Sequence, residues 1–335
     1  MDLLEHPFWG NTEPSRTSLV RMFSVPPEAN PFVKDRVIIR VAAAPGEVPY
    51  HKYPMAREGI LDGIRSGRID RKTTVVEATS GNTGHAMGSI CTVLGLDFIA
   101  IIAGDVPGSK IDVIRALGRN ISIRTPERGE TTAECARRLG AQDGWYNPDQ
   151  YSGEWNPRSH RRHLAPQLFR QQISILVTPA GTMGTCTGIA QYATANNRRT
   201  KVVPVICAEG QEIPAVRTLS RVKKDVRLPW QEYFKETDFQ FGTRYASFLL
   251  SFLSWRFIPV QLGPSFGLAF VGALKFLREQ KAAGTLDQFR EADGNVYVVV
   301  FGPDDYRPYN GLYLASRLYD DDFTKEDLLD LVDLV

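Results

Sequence analysis

Residues 75–89 read VVEATSGNTGHAMGS: a β-branched run, then hydroxyl residues and glycines, then helical spacing. Residues 181–188, GTMGTCTG, repeat the arrangement. A helix that starts directly after a strand presents unpaired N–H groups and a partial positive charge. Glycine lets a ligand reach the backbone and hydroxyls add hydrogen bonds, so both loops are candidate anion sites. Neither carries GK[ST] or GxGxxG, which argues against a nucleotide P-loop and a dinucleotide fingerprint. A carboxylate and a simple phosphate monoester fit better. Two further strand ends are polar, GPSFG at 263–267 and GPDDYR at 302–307. In open α/β sheets ligands gather beyond the carboxyl ends of strands, so four such ends can share one crevice. A phosphate-bearing cofactor that needs a lysine would suit it. The segment NPFVKDR at 30–36 offers Lys34 beside Asp35 and Arg36, directly before the strand-like VIIRVA. A lysine near cations or in a dry pocket can become a nucleophile and form a Schiff base. Taken alone, a lysine at 34 is more often a surface residue.

The elements that must position these loops alternate along the chain. TTVVEA, DFIAIIAG, ISIRT, ISILVTPA, KVVPVICAEG, FIPVQLG and NVYVVVFG read as strands. Helical lengths separate most of them, which predicts parallel βαβ units with helices on both sheet faces. The stretch 141–165, rich in Gly, Pro, Asn and aromatics, reads as a hinge between two lobes. YASFLLSFLSW reads as an amphipathic core helix. TKEDLLDLVDLV reads as a terminal helix opened by a capping-box-like Thr324 and Asp327.

Composition narrows the function. The 335 residues carry a net charge of +2 and no basic tail, which argues against nucleic acid. The amino terminus does not read as a signal peptide, and the apolar stretches are too short to span a bilayer. Four cysteines without CxxC pairing predict buried free thiols in a reducing, cytoplasmic setting. His160 and His163 are three apart but lack an evident third ligand, so no metal site is expected.

In this order, the motifs resemble the cysteine synthase and cystathionine β-synthase family, pyridoxal-phosphate (PLP) enzymes of fold type II. EATSGNTG is close to identical to the family's substrate-carboxylate loop. GTMGTCTG is similar to its GTGGTxTG phosphate cup, GPSFG to GISSG, PDDYRPY to PDSxRxY, and DQY at 149–151 to NQF. NPFVKDR resembles its Schiff-base lysine segment. The resemblance implies a tryptophan-synthase-β-like fold of two α/β/α lobes with mainly parallel sheets. Residues 1–148 would carry the lysine and the carboxylate loop, and 149–335 the phosphate loop, with some interleaving. It implies Lys34 as the lysine that binds PLP and moves the Cα proton, and Asn82 at the cofactor's 3-hydroxyl. It further implies Thr79, Ser80, Thr83 and Gln150 at the substrate carboxylate. Gly181, Thr182, Gly184 and Thr185 would hold the phosphate, with Ser265 near the ring. The reaction implied is β-replacement on a serine-derived amino acid such as O-acetylserine or O-phosphoserine, through an aminoacrylate, with a small nucleophile. The protein is expected to be a homodimer. An elimination lyase, such as a serine deaminase or cysteine desulfhydrase, and a non-catalytic PLP-fold protein are the alternatives.

Four departures from the family pattern matter. The early GNTPLV becomes GNTEPSRTSLV, and the NPxxSVK turn becomes NPFVK. The serine expected at the pyridine nitrogen aligns with Asp305, and a carboxylate there would favour a protonated ring. The GIGAGF loop is replaced by a region holding Lys223, Lys224 and Arg227, with Arg244 further on, within a local basic cluster that also includes Arg217 and Arg221 and reads by itself as a solvated loop. A cationic mouth, with Arg227 as a candidate substrate contact, suits a phosphate leaving group or an acidic nucleophile. A solvated surface loop is the competing reading.

Overall fold

The computed structural model describes residues 2–11, 20–44, 51–104, 106 and 108–303. Within these, the chain forms α1 (Phe8–Asn11), β1 (Arg21–Ser24), β2 (Val37–Ala43), α2 (Tyr53–Arg65), β3 (Thr74–Ala78), α3 (Asn82–Leu94) and β4 (Asp97–Ile101). It continues through α4 (Gly108–Arg115), β5 (Ile121–Arg124), α5 (Thr132–Gly140), β6 (Trp145–Tyr146) and α6 (Trp155–Ser159). A π-helical turn (His160–Leu164) leads into α7 (Ala165–Leu168), β7 (Ile175–Pro179), α8 (Gly184–Ala195), β8 (Lys201–Cys207) and α9 (Leu219–Asp225). The last elements are β9 (Gln240–Gly242), α10 (Arg244–Ser254), α11 (Pro264–Ala282) and β10 (Val296–Gly302).

Two sheets organise these elements. One has the order β1-β2-β10-β7-β8-β9, the other β5-β4-β3-β6. Every pairing is parallel except β1 with β2. The chain therefore enters the larger sheet with β1 and β2, builds the smaller sheet, and returns to complete the first. Parallel strands must be covered on both faces, which accounts for their near-continuous apolar runs. VYVVVFG of β10, at the centre of the larger sheet, is buried at every residue but Tyr297. Three apolar clusters follow. Two cover the faces of the larger sheet, and the third packs α2 and α3 on the smaller one.

Local chemistry sets the element ends. Thr131 and Glu134 form a reciprocal capping box at the start of α5. Gly95, at φ 70°, closes α3 in the left-handed region. FIPVQLG, expected as a strand, is not one. Its buried Ile258 and Leu262 pack beneath α10, where Ser251 Oγ and Trp255 Nε1 both donate to the Leu262 carbonyl. These side chains satisfy the backbone without a neighbouring strand. Thr324 and Asp327 lie outside the described residues.

The tightest packing is between α10 and α11. A Cβ on Gly267 would lie 1.8 Å from the Ser247 carbonyl oxygen and 2.8 Å from the Ser251 nitrogen, both rigid backbone. Gly108, at the start of α4, has nothing within 4 Å of the same position. Gly267→Ala is therefore expected to lower unfolding stability by about 3 kcal/mol, through overpacking. Gly108→Ala is expected to be neutral or mildly stabilising. Denaturant unfolding of the two variants against the parent checks the contrast.

Candidate active site

One cavity opens beyond the carboxyl ends of β3, β7 and β10. It is lined by residues of the β3–α3 loop, the β7–α8 loop, the segment before α2, the loop before α9 and the first turn of α11.

The β3–α3 loop places Thr79, Ser80, Asn82 and Thr83 on the cavity wall. Thr79 Oγ1 accepts N–H bonds from Gly81, at 3.0 Å, and from Gly84, at 2.8 Å. The hydroxyl thus folds the loop back on itself. Gly81 sits at φ 134°, and a Cβ there would meet the Lys110 side chain at 2.8 Å, so only glycine fits. Across the cavity, Gln150 is buried and also lines it. Its Oε1 accepts from Thr83 Oγ1 at 3.0 Å, and its Nε2 donates to the Ala78 carbonyl. Beneath them Glu77 is wholly buried, its oxygens accepting the N–H groups of Ala78 and Gln150. Burial, and then the charge of Asp149, push its pKa well above the usual carboxylate range.

The β7–α8 loop supplies Gly181, Thr182, Met183 and Thr185 to the same cavity. Gly184 stands just behind, where a Cβ would lie 2.1 Å from Asn156 Oδ1. A Cβ on Gly181 would lie 2.3 Å from the Ala215 carbonyl. The cup is narrow because backbone and an amide occupy the space side chains would need. Met183 takes φ 64°, a left-handed conformation at the helix cap that glycine adopts more readily. Ser265, in the first turn of α11, is buried against the cavity, and its Oγ has no partner among the described residues.

The lysine is where the sequence reading and the structure part. Lys34 is exposed in a short 3₁₀ turn, Val33–Asp35, before β2. It lies at the amino end of the parallel sheet, and β2 spans about 23 Å at ~3.3 Å per residue before the cavity edge is reached. The turn serves structure instead: Lys281 pairs with Asp35 at 2.8 Å, and Arg36 donates to the Asp293 carbonyl. The lysine in the cavity is Lys52, directly before α2. Burial pulls its pKa from the ordinary 10.5 down to about 8, with Cys186 acting weakly the other way. Part of the side chain still meets the cavity. His51 lines the cavity beside it. Sequence reasoning missed both. The available signal was position: Lys52 follows the carboxyl end of a strand, and Lys34 precedes its start.

The mouth also differs from expectation. Arg217 and Arg221 line the cavity, together with Glu212. Arg227 does not; its backbone N–H is bound to the Tyr151 carbonyl and its side chain is exposed. Lys223 pairs with Glu236 at 2.7 Å, and Lys224 with Glu134 at 3.4 Å. The alternation of a short helix explains this: in α9 the residue four before Asp225 faces the cavity, while 223 and 224 turn away. Arg217 stacks over the Tyr151 ring at 5.0 Å and reaches buried Asp225 at 3.5 Å. Asp305 lies outside the described residues. No group of three potential metal ligands occurs among the described residues, and no helix there is long and apolar enough to cross a membrane.

Comparison with known proteins agrees with this geometry. Residues 51–237 match the family described as pyridoxal-phosphate dependent enzyme. Cystathionine β-synthase of Mus musculus is 28% identical over 298 residues, covering 80% of this chain and 49% of that protein. Cysteine synthase B of Salmonella typhimurium is 27% identical over 162 residues, covering 47% and 54%. The chain thus spans about half the length of these curated relatives. The crystal structure of cysteine synthase from Entamoeba histolytica superposes with a TM-score of 0.70 at 16% identity, covering 96% of this chain and 95% of that one. That likeness establishes the fold, the mixed α/β architecture of PLP fold type II. The family match covers more than half of the chain, including Lys52, both Gly/Thr loops and Gln150: the protein belongs to the pyridoxal-phosphate-dependent enzymes.

Proposed function

We propose that this chain catalyses β-replacement on a serine-derived amino acid, with Lys52, not Lys34, as the lysine that carries PLP. The observation that carries the reading is convergence. A lysine with a lowered pKa, a hydroxyl-lined helix start and a second, narrower Gly/Thr cup share one cavity. The residues fit the cofactor. The cup beneath Gly181 admits no side chain, and the buried Ser265 hydroxyl lacks a partner that a ring nitrogen would provide. Lys52 would hold the cofactor covalently, Asn82 would meet its 3-hydroxyl, and Gly181, Thr182 and Thr185 would hold its phosphate. When bound, PLP supplies the electron sink that lets an amino acid lose its Cα proton.

The chain's own residues do the rest. Thr79 locks the β3–α3 loop, so Ser80, Thr83 and Gln150 meet the substrate carboxylate from a fixed frame. That orients the Cα–H bond towards Lys52. At a pKa near 8 a useful fraction of Lys52 Nζ is neutral around physiological pH, so it can take the Cα proton and return it. The relatives are named for cysteine and cystathionine synthesis, which supports a serine-derived first substrate and a small nucleophile. Arg221 at the mouth, with Arg217 held rigid behind it, favours an anionic leaving group or nucleophile.

Three experiments test this. Lys52→Ala is expected to lack the cofactor's visible absorption band and all turnover, whereas Lys34→Ala keeps both; the reverse pattern defeats the assignment. Arg221→Ala is expected to raise KM about tenfold for an anionic substrate, from the loss of a charge-assisted contact, and to leave an uncharged thiol unaffected. The double variant Lys223→Ala, Lys224→Ala should behave as the parent does. Product analysis with and without an added thiol or amine separates replacement from elimination, because a lyase releases keto acid and ammonia regardless.

A further inference from the structure

His51 and His160 are buried beside Lys52, and neither belongs to the loops that frame the substrate. His51 is 3% exposed and lines the cavity. Its ring is fixed edge-on against Phe301, with centroids 5.8 Å apart at 84°. Its Nδ1 is buried without a partner among the described residues. His160, 1% exposed, opens the π-helical turn, and its Nε2 lies 3.3 Å from Thr185 Oγ1 in the phosphate cup. Such π turns concentrate at functional sites.

The groups facing this pair come from every packed element. They are Lys52 before α2, His163 in the π turn, Thr185 and Cys186 in α8, and Phe301 in β10. Burial pushes the Cys186 thiol up to about 12. No carboxylate acts on either imidazole among the described residues. Burial first, and then Lys52, hold both rings below their ordinary range. Three basic groups thus lie together, and no ion pair among the described residues includes any of them. A phosphate dianion in the adjoining cup would reverse the balance, because a nearby opposite charge favours the protonated form.

We propose that His51 and His160 form a proton-responsive clamp on the cofactor phosphate, His51 directly and His160 through Thr185, taking up protons from solvent as the phosphate binds. The proposal rests on the reading that this cavity holds PLP. The only bonds formed are N–H bonds on the two rings, and water or buffer supplies the protons.

The test uses the holoenzyme labelled with ¹⁵N-histidine. The chain has five histidines, so His51→Asn and His160→Asn assign the two signals by difference. His51 is expected to be an imidazolium in the holoenzyme at pH 7.5 and a neutral imidazole once the cofactor is released. His51→Asn is expected to lose cofactor during dialysis about ten times faster than the parent, the fold-change of a lost hydrogen bond to a charged group. His51 neutral throughout pH 6 to 8 while ³¹P NMR shows bound phosphate would overturn the clamp alone. So would unchanged cofactor retention in His51→Asn. If the variant does not fold, the parent's own titration decides: two ring signals are expected to pass from imidazolium to imidazole on cofactor release, and none changing overturns the clamp. A parent protein that carries no phosphate resonance at all overturns the clamp together with the cofactor assignment beneath it.

Discussion

The site depends on one buried amide. Asn156 has no exposed surface, and its Nδ2 donates both to the Gln150 carbonyl, at 2.8 Å, and to Thr182 Oγ1, at 3.0 Å. One carboxamide therefore fixes the distance between the segment that borders the carboxylate loop and the cup that follows β7. These belong to different sheets, and nothing in either sheet's ladder sets their separation. Gly184 makes the arrangement possible, since any side chain there would occupy the space of the amide. Without the amide, the buried Gln150 carbonyl would lose a partner, at about 1–3 kcal/mol, and the Thr182 hydroxyl at the cavity would lose its donor. Arg137 adds a second tie on the outer side. It pairs with Asp149 at 2.8 Å and donates to the Asp225 carbonyl at 2.9 Å, joining α5, the 149–151 turn and the end of α9.

Much of this was legible in the sequence because it is locally encoded. TSGNTG and GTMGT are strand–turn–helix junctions whose residue types follow from backbone needs, and both appear at the cavity. Gln150 and Ser265 were found through short patterns that travel with those junctions. The lysine was not legible in that way. NPFVKDR and VPYHKYP flank the same strand, and a lysine segment is too short and variable to choose between them by resemblance. The choice needs the polarity of the sheet. Because β2 is parallel to β10 and β7, the loops that border the cavity follow strands, whereas Lys34 precedes one. Asn156 and His160 were invisible for another reason. Their roles are contacts across the fold, 26 and 25 residues away in sequence, and no local spacing announces them.

The mouth shows why counting charges misleads. Between 217 and 227 the chain carries five basic residues, and the sum suggests a cationic patch aimed at a ligand. Pairing removes most of that field. Lys223 and Lys224 spend their charge on Glu236 and Glu134, and Arg217 leans on Asp225. The two exposed lysine pairs contribute little to stability, yet they decide which cations remain available to a substrate. What is left at the rim is Arg221 with Glu212 nearby. That is a selective feature rather than a broad field, because a single guanidinium opposite a carboxylate distinguishes ligands by where their charge sits.

The same desolvation that lowers Lys52, His51 and His160 raises Glu77, and the two effects serve one end. Glu77 lies directly under the loop expected to receive a substrate carboxylate. Ionised, it would set a negative charge beneath that anion in a low-dielectric setting, where repulsion is strong. Burial disfavours that charge and raises the pKa, while its oxygens accept the N–H groups of Ala78 and Gln150 that shape the loop. The nearby Asp149 charge is answered by Arg137 on the outer side. The helix start of α3 thus faces the cavity with its partial positive charge unopposed. The buried acid builds the loop from beneath through two N–H bonds, and its burial works against the charge that would oppose an anion above it.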